Sequence, residues 1–227
     1  MSVWAVLAAA GRGERLGTDR PKAFARLGGR PLLAESLERL EGSDWIDQIV
    51  IAAPPDWEEP SILVAEEIAA TKVSSAVTGG ASRSESVRLA LEDVPEEAVV
   101  VLVHDAARPL LPEAVIERVL APLSEGWDGV VPALSIRDTV KRVRGDAVVE
   151  TLDREGLVLT QTPQAFLAEM LRRAFQSSSP LLQREGAATD CASLVEAQGG
   201  RVKVVAGEAA LLKVTTQDDL DLVATWL

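Results

Sequence analysis

The chain has 227 residues, 47% of them hydrophobic and only 4% aromatic, which is enough for one domain with a core built mainly from Val, Leu, Ile and Ala. Its formal net charge of -12 argues against general binding to nucleic acid or to anionic membrane surfaces, since both are polyanions. One cysteine, Cys191, allows no intrachain disulfide and suits a reducing cytoplasm, and no run approaches the roughly 18 apolar residues of a membrane span.

The first ten residues are apolar, carry no basic flank and run straight into a glycine-rich stretch. They read as a buried strand, not as a signal peptide. Further along, short apolar runs alternate with amphipathic ones. The strand candidates are Trp4–Ala9, Gln48–Ala53, Val73–Val77, Val99–Val103, Gly129–Ala133 and Arg201–Val205, nearly continuous in apolar residues as strands covered on both faces must be. The helix candidates are Pro31–Leu40, Ile62–Ala70, Ser82–Leu91, Pro112–Leu120, Leu167–Ala174, Thr189–Ala197 and Gln217–Trp226. Ser82 with Glu85 has the spacing of a capping box, and Pro112 suits a first helical turn. This alternation predicts an α/β fold with a mostly parallel, Rossmann-like sheet and helices on both faces, with ligands bound beyond the carboxyl ends of the strands.

The first predicted strand opens into "LAAAGRGERLGTDRPKAF", Leu7 to Phe24. Gly11-x-Gly13 could begin a dinucleotide fingerprint, but Leu16 stands where that fingerprint needs a small residue, and no helix follows until about Pro31. A long glycine loop carrying Arg12, Arg15, Arg20 and Lys22 suits a triphosphate better. Glycine lets backbone N–H groups approach phosphate oxygens, and the cations neutralise charge. A solvated basic loop is the plainer alternative.

One segment departs from the alternation. Ile136–Leu159 switches between apolar and polar residues around Arg144-Gly145-Asp146 and is too polar for a central strand. A protruding hairpin arm at about 136–159 is expected on an otherwise single domain spanning 1–227. It is either a solvated decoration or an arm that grips a second subunit.

Five motifs occur in order along nearly the whole chain: "AAAGRGERLGTDRPKAF", "GGASRSESV" from Gly79, "VHDAARP" from Val103, "TPQAF" from Thr162 and "LLKVTTQDDL" from Leu211. Together they resemble the nucleotidyltransferases of the sugar-nucleotide pyrophosphorylase type, and within them the cytidylyltransferases of methylerythritol phosphate. The resemblance implies that CTP and a sugar-alcohol phosphate are joined with release of pyrophosphate, and that Mg2+ or another divalent cation is bound mainly through the triphosphate. It implies catalytic roles for Arg15, Lys22, Arg154 and Lys213, the first two at the triphosphate and the last two orienting the attacking phosphate. It places Ala9, Ala10, Gly11, Gly13, Gly80, Arg83, Ser86 and Ala106 at the nucleotide, and Asp105, Arg108, Thr139, Thr162 and Thr189 at the second substrate, with Asp105 also a candidate metal ligand. Thr139 and Arg154 lie on the polar hairpin; if that arm swaps across a homodimer, it would complete the partner's site.

A phosphate monoester has a second pKa near ~6, so the attacking group is already largely dianionic at neutral pH and needs no general base. The site then has to supply positioning and charge neutralisation, which a chain with one histidine can do. His104 and Cys191 are read as structural. The chain departs from the family pattern at Ala81, where some relatives carry Asp, and at Cys191, where they often carry Glu. A ribitol or other pentitol-phosphate cytidylyltransferase, a non-catalytic nucleotide-binding protein and a dinucleotide-dependent oxidoreductase are the alternatives.

Overall fold

The computed structural model describes residues 2–17, 19–176 and 190–227. Its centre is an eight-stranded sheet. Strands β1 (Val3–Ala8), β4 (Gln48–Ala53), β5 (Val73–Thr78) and β6 (Val100–Asp105) run parallel in the order β6-β1-β4-β5. Beyond β6 the sheet continues through β11 (Gln164–Leu167) to β7 (Gly129–Ser135), and β11 is antiparallel to both. Strand β12 (Val202–Ala206) pairs parallel with β7, and β10 (Val158–Thr160) pairs antiparallel with its far end. The expected mostly parallel sheet is present, with β11 as the antiparallel wedge.

Side-chain alternation splits the core between the two faces of the sheet. Ala5, Leu7, Ile49, Ile51 and Leu102 enter one buried cluster, beneath α1 (Leu32–Glu41), α2 (Glu58–Glu67) and α4 (Glu113–Leu120). Val6, Val50, Val101 and Val103 enter the other, beneath α3 (Arg83–Leu91), α5 (Ala168–Gln176) and α6 (Cys191–Ala197). Being covered on both faces is why these strands read as unbroken apolar runs. A third, smaller cluster joins Leu16, Leu27 and Leu32 to Leu110, Val214 and Val223, the last on α7 (Gln217–Ala224). It ties the glycine loop to the segment that carries Lys213.

The predicted helices are present with shifted ends. α2 begins at Glu58, four residues before the expected start, because Pro60 lies in its first turn, where a missing N–H costs nothing. Ser82 caps α3 by accepting from the Glu85 N–H at 3.1 Å. The reciprocal half of the expected capping box is displaced by one residue, since the Glu85 carboxylate accepts from the Ala81 N–H at 2.8 Å instead of from Ser82.

Two strands of the main sheet escaped the sequence reading. Gln164–Leu167 is short and part-polar, yet it lies between β6 and β7. Val158 and Leu159, expected in the arm, pair instead with Ser135 and Leu134 in the main sheet. The separate hairpin is therefore narrower than 136–159: β8 (Val140–Arg144) pairs antiparallel with β9 (Ala147–Leu152) as a two-stranded sheet of its own, turning through Gly145 at φ +58°. Two more short strands, β2 (Arg26–Leu27) and β3 (Arg30–Pro31), form a small hairpin between the glycine loop and α1. No helix among the described residues is long and apolar enough to cross a membrane.

Candidate active site

A cleft of about 750 Å3 opens at the carboxyl ends of the parallel strands. Ala8 at the end of β1, Gly79 just after β5 and Asp105 at the end of β6 all line it. Strand ends leave backbone groups free to face a ligand, so this is where an α/β site is expected.

The glycine loop forms one wall through Ala9, Ala10, Gly11, Arg12, Gly13, Glu14, Arg15 and Lys22. It is folded as two short 3-10 turns, Glu14–Leu16 and Lys22–Phe24, with Pro21 immediately before the second. The Lys22 N–H donates to the Gly11 carbonyl at 3.2 Å, closing the loop on itself. Gly13 has φ +74°, and a Cβ placed there would meet the Lys22 Cβ at 2.8 Å. Only glycine allows both that backbone and that approach. Buried Leu16, the residue that spoils a dinucleotide fingerprint, anchors the loop in the third hydrophobic cluster.

The opposite wall is Gly79, Gly80, Ala81, Ser82, Arg83 and Ser86. Gly79 packs so closely on Ala10 that a Cβ would lie 2.3 Å from the Ala10 Cβ, which brings the two loops together. Ser86 lies in the wall, but its hydroxyl is used inside it, donating to the Ser82 carbonyl at 2.8 Å and accepting from the Gly80 N–H at 3.1 Å.

The floor is charged. Asp105 is 5% exposed, and its two oxygens accept from Arg83 Nε at 2.8 Å and Lys213 Nζ at 2.6 Å. Burial by itself would raise this carboxyl, but the Arg83 and Lys213 cations hold it well below the usual carboxylate range. Lys22 is half-buried and pushed down to about 8, first by burial and then by Lys213, with Asp105 and Arg15 acting in opposite directions. A cation held where it is poorly solvated and repelled by other cations is short of negative charge, which a bound anion would supply.

This has a measurable consequence. Lys22 is charged below about pH 8 and neutral above it. The KM for a nucleoside triphosphate is expected to rise by up to roughly tenfold from pH 7 to pH 9, and to stay flat in Lys22→Arg, whose guanidinium keeps its charge. A flat profile in the wild-type protein would show that Lys22 does not meet the phosphates.

The sequence-predicted residues divide into those the fold brings together and those it does not. Ala9, Ala10, Gly11, Gly13, Arg15, Lys22, Gly80, Arg83, Ser86, Asp105, Ala106 and Lys213 all line the cleft. Arg108 does not: its Nη1 donates to the Leu211 carbonyl at 2.5 Å. Thr162 is 4% exposed and sits behind Asp105, accepting from the Asp105 N–H at 3.1 Å. Thr139 and Arg154 are exposed on the hairpin segment and line no part of the cleft, and Arg154 Nη1 is used on the Arg137 carbonyl. Thr189 lies outside the described residues.

Asp105, the candidate metal ligand, accepts from one cation on each oxygen, Arg83 Nε on one and Lys213 Nζ on the other. No group of three or more His, Cys, Asp or Glu among the described residues could hold a metal ion. Cys191 is buried, with its thiol pushed up by burial, and accepts from Arg83 Nη1 at 3.5 Å, in keeping with a structural filler. Sequence reasoning missed Pro55 and Thr215, which also line the cleft. Each had a signal: Pro55 follows the apolar run of β4, and Thr215 stands two residues after Lys213.

Residues 3–227 match the family described as 2-C-methyl-D-erythritol 4-phosphate cytidylyltransferase. The protein of that name from Nocardia farcinica is 42% identical over 227 residues, covering 100% of this chain and 94% of the relative. Its namesake from Saccharopolyspora erythraea is 43% identical, covering 97% and 96%. Among solved structures, the cytidylyltransferase of Francisella tularensis superposes with a TM-score of 0.84 at 30% identity, covering 100% of this chain and 99% of the other. That of Thermus thermophilus superposes with a TM-score of 0.78 at 33% identity, covering 97% and 96%.

Proposed function

The chain belongs to the 2-C-methyl-D-erythritol 4-phosphate cytidylyltransferase family, and on that premise we propose how its cleft joins CTP to 2-C-methyl-D-erythritol 4-phosphate. The enzyme transfers CMP, releases pyrophosphate and forms the CDP-linked intermediate of the non-mevalonate isoprenoid pathway. The observation that carries the reading is the convergence of Lys22, Arg15 and Lys213 between two glycine-containing loops in one cleft.

An oxygen of the methylerythritol phosphate attacks the α-phosphorus of CTP, and the bond from that phosphorus to the bridging oxygen of pyrophosphate breaks. The attacking oxygen carries no proton near neutrality, so no side chain has to remove one. Backbone N–H groups of the glycine loop and the cations Arg15 and Lys22 hold the triphosphate and take up the charge that develops on the leaving pyrophosphate. The loop from Gly79 to Ser82, packed closely on Ala10, is the wall against which the cytidine is placed. Lys213, fixed by Asp105, faces the attacking phosphate. A divalent cation belongs to this chemistry as a charge carried on the triphosphate. Among the described residues no group of three or more His, Cys, Asp or Glu could hold it.

Val143, Val148 and Val149 on the β8–β9 hairpin are 50–60% exposed, and a lone two-stranded hairpin is only marginally stable in water. A second copy of the chain would cover these valines with one self-complementary surface and would carry Arg154 and Thr139 to the partner's cleft. The free, buried Cys191 suits a cytoplasmic setting.

The direct test offers CTP with methylerythritol phosphate or with ribitol phosphate and measures pyrophosphate release. Turnover with methylerythritol phosphate is expected to exceed that with ribitol phosphate by about 10²-fold in kcat/KM, and replacing CTP with ATP is expected to abolish it. Faster turnover of ribitol phosphate would reassign the substrate.

A further inference from the structure

His104 is fully buried at the end of β6, directly before Asp105. Its Nε2 lies 3.0 Å from the Arg108 carbonyl and its Nδ1 lies 3.2 Å from Thr162 Oγ1. A carbonyl can only accept, so Nε2 carries the proton. Burial holds the ring down to about 4, so it is neutral near pH 7 and Nδ1 is an acceptor. Thr162 must then donate its one hydroxyl proton to Nδ1, which leaves its lone pairs for the Asp105 N–H. Every hydrogen of the chain Asp105 N–H, Thr162 O–H, His104 Nε2–H has one direction.

The same residues close a ring around the floor of the cleft. The Arg108 N–H donates to the Asp105 carbonyl at 2.9 Å, and Arg108 Nη1 donates to the Leu211 carbonyl. The Val214 N–H donates to the Ala107 carbonyl at 2.8 Å, and Lys213, between those two anchors, returns to Asp105. We infer that His104, through Thr162 and the Arg108 carbonyl, is a positioning residue that holds Asp105, and with it Lys213 and Arg83, in the arrangement the cleft presents to the attacking phosphate. The inference rests on reading the cleft as the CMP-transfer site. A histidine that merely filled space would be replaceable by an apolar side chain of similar size at no cost beyond stability.

The experiment compares His104→Leu, His104→Gln, Thr162→Val and the His104→Leu/Thr162→Val pair with the wild-type enzyme. His104→Leu and Thr162→Val should each lower kcat about tenfold with the KM for CTP within about threefold, because the ring reaches the nucleotide wall only through Arg83 and includes none of the glycine loop around Lys22. His104→Gln, which keeps a donor toward Arg108, should return to within about threefold of wild type. The double variant should be no worse than the poorer single one, as expected of one network. The acidic limb of turnover, set by the substrate phosphate near pH ~6, should stay in place in all of them.

A readout independent of turnover is hydrogen exchange at the Asp105 amide, which should accelerate in His104→Leu and Thr162→Val and recover in His104→Gln. If His104→Leu does not fold, Thr162→Val carries both comparisons. Wild-type kcat and wild-type Asp105 exchange in folded Thr162→Val would overturn the inference, as would additive losses in the double variant or an acidic limb that moves with His104. A wild-type enzyme without pyrophosphate release would instead defeat the CMP-transfer reading, while the exchange measurement would still decide the role of the ring.

Discussion

Replacing Lys22 with methionine is expected to lower turnover by about 10²-fold or more, since one lost donor to developing negative charge typically costs ~2.7–4 kcal/mol of barrier. Methionine keeps most of the length and apolar body of lysine, so the stem still packs where Gly13 makes room for it. The fold should survive. In the free enzyme the Lys22 ammonium is disfavoured by burial and by Lys213, so its removal relieves a cost. A Tm equal to or above that of wild type should therefore accompany the lost turnover. The two measurements together separate a catalytic cation from a structural one: a structural cation would lose Tm, and a peripheral one would lose neither. A folded Lys22→Met enzyme within threefold of wild type in turnover would falsify the role given to the loop.

The second large effect concerns two chains. Arg154→Ala is expected to be nearly inactive, although Arg154 lines no part of its own chain's cleft. If Arg154 serves the partner's site, a mixed dimer of Arg154→Ala with Lys22→Met collects both lesions in one site and leaves the other intact. Mixing the two inactive variants after dissociation should then restore up to about half of wild-type activity in each heterodimer, or roughly a quarter of the total after statistical assortment. If both residues serve the same chain's site, mixing restores nothing. Absence of recovery despite demonstrated subunit exchange would retire the composite site, as would full activity in a monomer.

Some of this protein is settled by local sequence, for local reasons. The parallel strands are legible because burial on both faces leaves no polar positions in Val100–Val103 or Ile49–Ala53. Ser82 is legible as a cap because a hydroxyl three residues before an open N–H has one favourable use. The glycine loop is legible because only glycine tolerates the backbone at Gly13, and because a cluster of cations in a chain of net charge -12 needs an anion to explain it.

What the tertiary structure decided is where side chains spend their hydrogen bonds, because that depends on residues far apart in the chain. Arg108 and Thr162 have the chemistry of substrate ligands, but the fold engages one on Leu211 and the other on Asp105 and His104. Asp105 ends a strand, and only the fold brings Lys213, 108 residues away, and Arg83 onto its oxygens. Val158 and Leu159 share the alternation of a hairpin, and only pairing with the far end of β7 assigns them to the main sheet. A motif carries the identity of its residues, whereas a buried donor or acceptor must be satisfied by whatever the fold brings within about 3 Å, and that partner is chosen by packing across the whole chain.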